Sequence, residues 1–394
     1  MIITSKTITF ILIASGTVIG LAGTDLVLPA IPGLPEVLTG NAKTAQWVLA
    51  AFAGGTGLGL LAYGELGTRF KIGNLLISSL FGYAIISVLA TYASTLYELS
   101  FIRFFQGFVA AAPAVFAPVM IKSMYEEQST VAMLGRIGSI ESLAPALAPI
   151  IGAWLLSVSG WKSSFYVTAA IAFLLGLIWI LRRKTRLSFG YTKRSEAGYF
   201  PLLLDSNFMR YALSQAFTLG ALLIIVFAAP TIIINSMNGE LADFIIMQVL
   251  GISFFIVSAN YSHILVTRLG VEKTILAGSG ISAFGCIGIF CMGLASNTSI
   301  ELLWFLFIFV NTGLGVRAPP GFYKALLAAG SNEARGSALV VLFIMFTAAL
   351  GTAAIAPLID GGLLPIGALA SCVSIASTWL SFRVANGRAK PLPP

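Results

Sequence analysis

The chain has 394 residues, of which 58% are hydrophobic and 10% charged, with a formal net charge of +8, and its mean hydropathy is +0.94. These values lie far from those of water-soluble domains and exclude a globular enzyme of the cytosol. One apolar segment of about 20 residues crosses a bilayer as a helix, and this sequence offers twelve of them separated by short polar punctuation.

The predicted spans are residues 7–28, 45–66, 73–93, 98–120, 133–157, 162–181, 208–234, 243–265, 273–295, 300–328, 336–359 and 362–384. Span 1 follows only Lys6 and has no small-residue cleavage site, so it reads as a first membrane helix and not as a removed signal peptide. It carries Asp25 shortly before Pro29. Span 2 contains Gly54-Gly55-Thr56-Gly57-Leu58-Gly59, a run of small residues that lets membrane helices approach closely. Span 4 carries Arg103 inside Phe101-Ile102-Arg103-Phe104-Phe105-Gln106-Gly107. An arginine at a membrane helix centre costs about 2.5–3.5 kcal/mol on insertion scales, so it marks a functional site and demands a partner.

Span 5 carries Glu141 and then Pro145, Pro149 and Gly152. Each proline removes a helix hydrogen bond, which predicts a bend at a helix interface. Residues 182–207 form the longest polar stretch away from the ends and divide the chain into a six-helix bundle at 1–181 and a second at 208–394. Span 8 holds the lone His263, read as a packing residue. Spans 9 and 12 hold Cys286, Cys291 and Cys372, read as small buried residues with no disulfide framework or metal site. Span 10 carries Arg317 in Gly315-Val316-Arg317-Ala318-Pro319-Pro320-Gly321, which either snorkels to the interface or binds an anionic group.

The two halves rhyme. Thr68-Arg69 after span 2 matches Thr267-Arg268 after span 8, Glu127 to Ala132 matches Glu333 to Ala338, and Ala148-Pro149 matches Ala356-Pro357. Parallel repeats of this kind place a substrate site between the halves and work by alternating access. The charges do not repeat. Asp25, Arg103 and Glu141 map onto Val226, Phe309 and Ala349.

Basic residues also set the topology. Lys6, Arg69, Lys71, Lys122, Arg182, Arg183, Lys184, Arg186, Lys193, Arg194, Arg210, Arg268, Lys273, Arg335, Arg383, Arg388 and Lys390 fall on one side, and only Lys43 and Lys162 on the other. The positive-inside rule then puts both termini in the cytoplasm. Nucleic acid is not needed to explain the charge.

Span 1 runs outward with Asp25 in its outer part, and span 4 runs inward with Arg103 about one and a half turns after its start, so the two lie at similar depth. Asp25 is therefore the first candidate partner of Arg103 and Glu141 the second. Desolvation favours a neutral carboxyl and a neighbouring guanidinium favours a charged one, a balance that suits proton exchange. A permanent ion pair that fixes packing is the alternative reading, and for Glu141 so is a pairing with Arg136.

Together these residues resemble the major facilitator superfamily, specifically its twelve-helix drug:proton antiporters of the Bcr/CflA type. Asp25-Leu26-Val27-Leu28-Pro29-Ala30-Ile31-Pro32 is similar to that branch's helix 1 signature, Arg103 with Gln106 and Gly107 to its helix 4 motif, and Ala144-Pro145 through Pro149 and Gly152 to its helix 5 antiporter motif. Gly160-Trp161-Lys162 through Phe165 is similar to its start of helix 6. The resemblance implies proton coupling through Asp25 and Arg103 and substrate contact by Asp25 and Gln106; as intramembrane charges, Glu141 joins the proton-coupling candidates and Arg317 the substrate-binding ones. It also implies gating or structural roles for Gly64, Arg69, Pro145, Pro149, Gly152 and Arg268. One motif departs from the family. After Gly64, Thr68 stands where an aspartate that latches one transport state is usual, and Lys71 where a second glycine is usual. Glu65 is a substitute three residues out of register.

The resulting expectation is an all-α membrane protein with the major facilitator fold, a monomeric proton-coupled exporter of drugs or metabolites in a bacterial inner membrane. Its partners are protons, lipid and a small molecule, with no cofactor, metal or nucleic acid. The acidic residues favour a cationic lipophilic substrate, and Arg103 and Arg317 an anionic metabolite such as a siderophore. Uptake by symport is disfavoured by the helix 5 motif. A membrane enzyme lacks a catalytic constellation, a channel lacks polar rings, and no phosphate-binding loop supports coupling to ATP.

Overall fold

A computed structural model describes residues 5–182, 189 and 198–386. Arg183, Lys184, Arg186, Lys193, Arg194, Arg388, Lys390 and most of the expected linker lie outside the described residues, as do the side chains of Lys43 and Arg383. Twelve stretches among the described residues are long and apolar enough to cross a membrane. They are α1 (Ser5–Asp25), α2 (Ala42–Arg69), α3 (Ile72–Ala90), α4 (Leu96–Met124), α5a (Glu127–Glu141) with α5b (Ala144–Ser159), α6 (Ser163–Leu181), α7 (Ser206–Asn235), α8 (Leu241–Leu269), α9 (Val271–Leu294), α10 (Ile300–Ala328), α11 (Glu333–Ile355) and α12 (Leu363–Asn386). Large apolar side chains such as Phe101, Trp154, Leu181 and Phe284 are exposed, while Arg103, Thr130, Ser262 and Arg317 are wholly buried. That inversion is what a hydrocarbon solvent selects.

Local chemistry sets the helix ends. Asn41 caps α2 by accepting from the Thr44 amide at 2.9 Å while its own amide donates to the Thr44 hydroxyl at 2.8 Å. Asp205 accepts from the amides of Asn207 and Phe208 at the start of α7. At the other end of α1, Pro29 and Pro32 stop the helix and a 3-10 turn over Leu28–Gly33 follows. Proline has no amide hydrogen to continue the ladder, so the last carbonyls of α1 must find other donors.

The expected bend in span 5 is a break. α5a stops at Glu141, Ser142 and Leu143 form a turn, and α5b starts afresh at Ala144 with Pro145 in its first turn. There the missing N–H of Pro145 costs nothing, because the first turn has no intrahelical acceptor for it. Pro149 alone lies inside α5b.

Contacts group the chain into two compact units. The first holds α1–α4, the chain from Ile140 through α6, and the segment Gly330–Leu339 at the start of α11; the second holds Tyr125–Ser139, α7–α10 and the chain from Val340 onward. Each unit thus contains a piece of the other sequence half. In the first unit α2 packs most extensively on α4 and α3 on α6; in the second, α9 packs on α10 and α12, and α8 on α10. The α2–α4 seam depends on glycine. A methyl at Gly55, Gly59 or Gly107 would run into the carbonyls of Phe104, Phe108 or Phe52.

Cys286 is buried as expected, but Cys291 and Cys372 are exposed, a correction that follows from their positions on outward helix faces. The His263 Nδ1 sits 2.8 Å from the Asn260 carbonyl of its own helix.

Candidate functional site

Arg103, in the second turn of α4, is fully buried in the first unit. Its Nη1 donates to the Gly23 carbonyl at 2.9 Å and to Gln106 Oε1 at 2.8 Å. The guanidinium lies over the Phe52 ring of α2, 4.2 Å from its centroid, with Phe165 of α6 at 5.9 Å. Gln106 passes the chain on, its Nε2 donating to Ser87 Oγ at 2.7 Å, and Ser87 donates to the Tyr83 carbonyl of α3.

The expected Arg103–Asp25 ion pair is therefore not the arrangement found. Gly23 is one of the terminal carbonyls of α1, which carry the negative end of the helix dipole. Around it, the Ala22 carbonyl accepts from the Leu26 amide, Thr24 from Val27 and Leu26 from the Ser164 hydroxyl of α6. Arg103 fills the vacancy at Gly23 and supplies the positive charge that this helix end favours. Among the described residues, no carboxylate lies within ion-pair distance of Arg103. Its Nε and Nη2 have no acceptor.

Asp25 is the half-buried last residue of α1, two positions beyond the carbonyl that holds Arg103. Gly152 of α5b seats against the Leu26 carbonyl next to it, at a spacing that leaves no room for a side chain. Glu141, at the end of α5a, lies near the Thr17 hydroxyl of α1, which itself donates to the Ala14 carbonyl of its own helix at 2.9 Å. Arg136 does not neutralise Glu141, because its Nη1 points to Met133 Sδ at 3.9 Å. Five residues place the two on different faces of the helix.

The motif after α2 acquires a clear geometry. Glu65 Oε1 accepts from Arg69 at 2.8 Å, and Glu65 Oε2 accepts from Arg335 Nη2 at 2.8 Å and Nε at 2.9 Å. The three-residue offset noted in the sequence is close to one helical turn, so Glu65 and Thr68 share a face. The Thr68 hydroxyl itself lies 3.5 Å from Arg335 Nη2. Asn332 Oδ1 accepts from Arg335 at 2.7 Å, and Lys122 at the end of α4 pairs with Glu333. Gly64 is buried in α2, whereas Arg268 is exposed in the last turn of α8.

Arg317 of α10 is also fully buried, in the second unit. It donates to the Ser214 carbonyl, to Ser214 Oγ at 3.0 Å and to Thr218 Oγ1 at 3.2 Å, and Ser377 of α12 joins the same cluster through Thr218 at 2.7 Å. Each half therefore uses an arginine on its fourth helix to hold a carbonyl of its first helix, at non-equivalent positions. Arg335, Lys122, Glu333, Ser214 and Thr218 were not singled out from sequence as parts of a site. Nothing local in the sequence signals Arg335, since its partner Glu65 lies 270 residues away.

The family profile described as Major Facilitator Superfamily matches residues 13–356. The chain is 23% identical over 258 residues to a Haemophilus influenzae protein named bicyclomycin resistance protein homolog, a match covering 64% of each chain and so less than two thirds of that relative's length. It is 25% identical over 381 residues to the multidrug resistance protein MdtL of Salmonella paratyphi C, covering 93% of each. Its fold is similar to the crystal structure of the transporter FucP in the outward conformation, with a TM-score of 0.73 and 17% identity over 96% of this chain and 99% of that one.

Proposed function

The chain belongs to the Major Facilitator Superfamily, and on that premise we propose that it is a proton-coupled exporter of small lipophilic cations working by alternating access. It is a multi-pass membrane protein. The distribution of basic residues supports a bacterial inner membrane with both termini cytoplasmic. The relatives named for bicyclomycin and multidrug resistance support export as the direction.

The observation that carries the reading is a half-buried Asp25 with no ion-pair partner among the described residues, at the end of a helix whose Gly23 carbonyl binds Arg103. Asp25 exchanges the proton. When it is ionised, the open Nε and Nη2 of Arg103 are the donors that can receive it, and when a cationic substrate binds, substrate and proton compete for the same carboxylate. Glu141, on α5a just before the break, is a second exchanging group facing α1. Gln106 has both polar atoms engaged by protein groups, and Arg317 has both terminal nitrogens engaged although its Nε has no acceptor among the described residues, so Asp25 is the group retained as the main substrate contact, which favours a cation over an anionic metabolite.

Gating is assigned to the start of α11. Glu65 takes the role left open by Thr68, and together with Lys122–Glu333 it clamps Gly330–Leu339 onto α2 and α4 in the state described here. Release of that clamp belongs to the opposite transport state. The break before Pro145 and the close seat of Gly152 on Leu26 let α5b move with α1 while α5a does not. A monomer is sufficient for this mechanism.

The test is transport in proteoliposomes. Ethidium should be moved against an imposed pH gradient by the wild-type protein, and Asp25→Asn should abolish the dependence on the gradient while the protein remains folded. Full gradient-driven transport by Asp25→Asn would remove Asp25 from the mechanism.

A further inference from the structure

The second unit contains a groove of about 490 Å³ between α7, α11 and α12 that none of the above uses. Its walls include Leu213, Phe217 and Ile224 of α7, Phe343 and Phe346 of α11, and Val373 of α12. The single hydroxyl in the lining, on Thr347, is bonded to the Phe343 carbonyl of its own helix at 2.8 Å. The polar residues of α7, Ser214 and Thr218, belong to the cluster around Arg317.

In the first unit the corresponding helices meet closely at the Leu26 carbonyl, where Gly152 of α5b seats and to which Ser164 of α6 donates at 3.0 Å. In the second unit α7 and α11 touch at Gly220 against Thr347 and at Gly351 against Ile224, and the helices part around these points.

We propose that this groove is a binding site for one acyl chain of a membrane phospholipid. Its chemistry selects the occupant. A site for a specific small molecule carries a few placed polar groups to orient it, and this lining has none to offer. An unfilled cleft in a membrane protein forfeits the dispersion contacts that hold its helices together, and hydrocarbon is the available filler. The length agrees as well. The lining runs from Leu213 to Ile224 on α7 and from Phe343 to Ala354 on α11, which at a rise of about 1.5 Å per residue is roughly 16 Å. That is about half of a hydrocarbon core of roughly 30 Å, the reach of a chain from one leaflet. Seated there, the acyl chain fills the space around the two points where α7 and α11 touch.

The test uses nanodiscs containing a phospholipid with a photoactivatable diazirine on its acyl chain, with adducts mapped by mass spectrometry. Phe217 and Phe346 should be labelled well above Phe284, an exposed residue of α9 outside the groove. Filling the groove from either of two helices, with Val373→Trp or Ala354→Trp, should bring Phe217 and Phe346 down to the level of Phe284 and leave Phe284 unchanged. Equal labelling of all three positions in the wild-type protein would overturn the proposal, and this comparison stands even if a filled variant fails to fold. So would labelling that survives both substitutions. Displacement of the adducts by excess ethidium would assign the groove to substrate and reject the lipid.

Discussion

Replacing Glu65 by Gln removes one charge from the clamp at the start of α11 and leaves the shape of the side chain almost intact. Arg335 is only 2% exposed, and Glu65 Oε2 is a carboxylate partner 2.8 Å from its Nη2. Breaking a buried ion pair from one side costs about 3–5 kcal/mol, because the surviving charge stays desolvated. Two features reduce that here. The Glu65 side chain is 30% exposed, so solvent screens part of the interaction, and Asn332 Oδ1 still accepts from Arg335. A loss of about 2 kcal/mol results, and at 1.4 kcal/mol per factor of ten it shifts a two-state equilibrium about thirty-fold away from the clamped state. The assay is disulfide formation between cysteines placed at Gly67 and Ala334 in a background without native cysteines. A Cβ at Gly67 would sit 2.9 Å from that of Ala334 and 2.8 Å from the Phe116 ring, so both neighbours must give by about 1 Å for the pair to reach disulfide geometry. Cross-linking should be fast in the parent and markedly slower with Glu65→Gln. Arg335→Gln should have a similar effect, and the double variant should be little worse than either alone. Effects that simply add would show that the two side chains do not act on one another, and the assignment of Glu65 as the latch would fail.

Arg103→Met should destabilise the folded protein. Two charge-assisted hydrogen bonds at about 1.5–3 kcal/mol each and a desolvated cation–π contact of about 2 kcal/mol are lost, against about 2.5–3.5 kcal/mol of relieved insertion cost, for a net loss of about 2–5 kcal/mol. A thermal midpoint in detergent equal to or above wild type would contradict this. Gly55→Ala should cost about 1–3 kcal/mol by forcing a methyl into the Phe104 carbonyl, whereas Gly54→Ala, which meets nothing within 4 Å, should be neutral or slightly stabilising; equal midpoints for the two would mean that the α2–α4 seam is not this tight. Arg317→Met should lower stability and leave the pH dependence of transport intact, because its partners are the Ser214 and Thr218 groups of the scaffold. A changed pH profile would bring Arg317 into the coupling machinery.

The spans were legible because hydrocarbon tolerates few charges, and the same rule exposed Asp25, Arg103 and Glu141. The partner of Arg103 was not legible, for a physical reason. A backbone carbonyl left open at a helix end carries no residue-type signature, so Gly23 looks like any glycine until Pro29 is seen to stop the helix above it. Reading Pro29 as the source of unpaired carbonyls would have pointed there before the carboxylate did. The two prolines of span 5 were read as equivalent, yet Pro145 starts a helix and Pro149 sits inside one; only the position of the first turn separates these cases. Arg335 was counted among the loop cations that set topology, and nothing local distinguishes a buried arginine from a solvated one when its carboxylate is in the other half of the sequence. The relation between Glu65 and Thr68 was in plain view, since a shift of three residues on a helix is a shift of one turn along one face.

In the proposed mechanism substrate and proton compete for Asp25. Proton release on mixing purified protein with saturating ethidium in weakly buffered detergent solution tests this without a membrane or a gradient. The wild-type protein should release protons over the pH range in which Asp25 is protonated, and Asp25→Asn should bind ethidium with no release attributable to that site. Undiminished proton release from Asp25→Asn would contradict it and move the exchanging group to Glu141 or elsewhere.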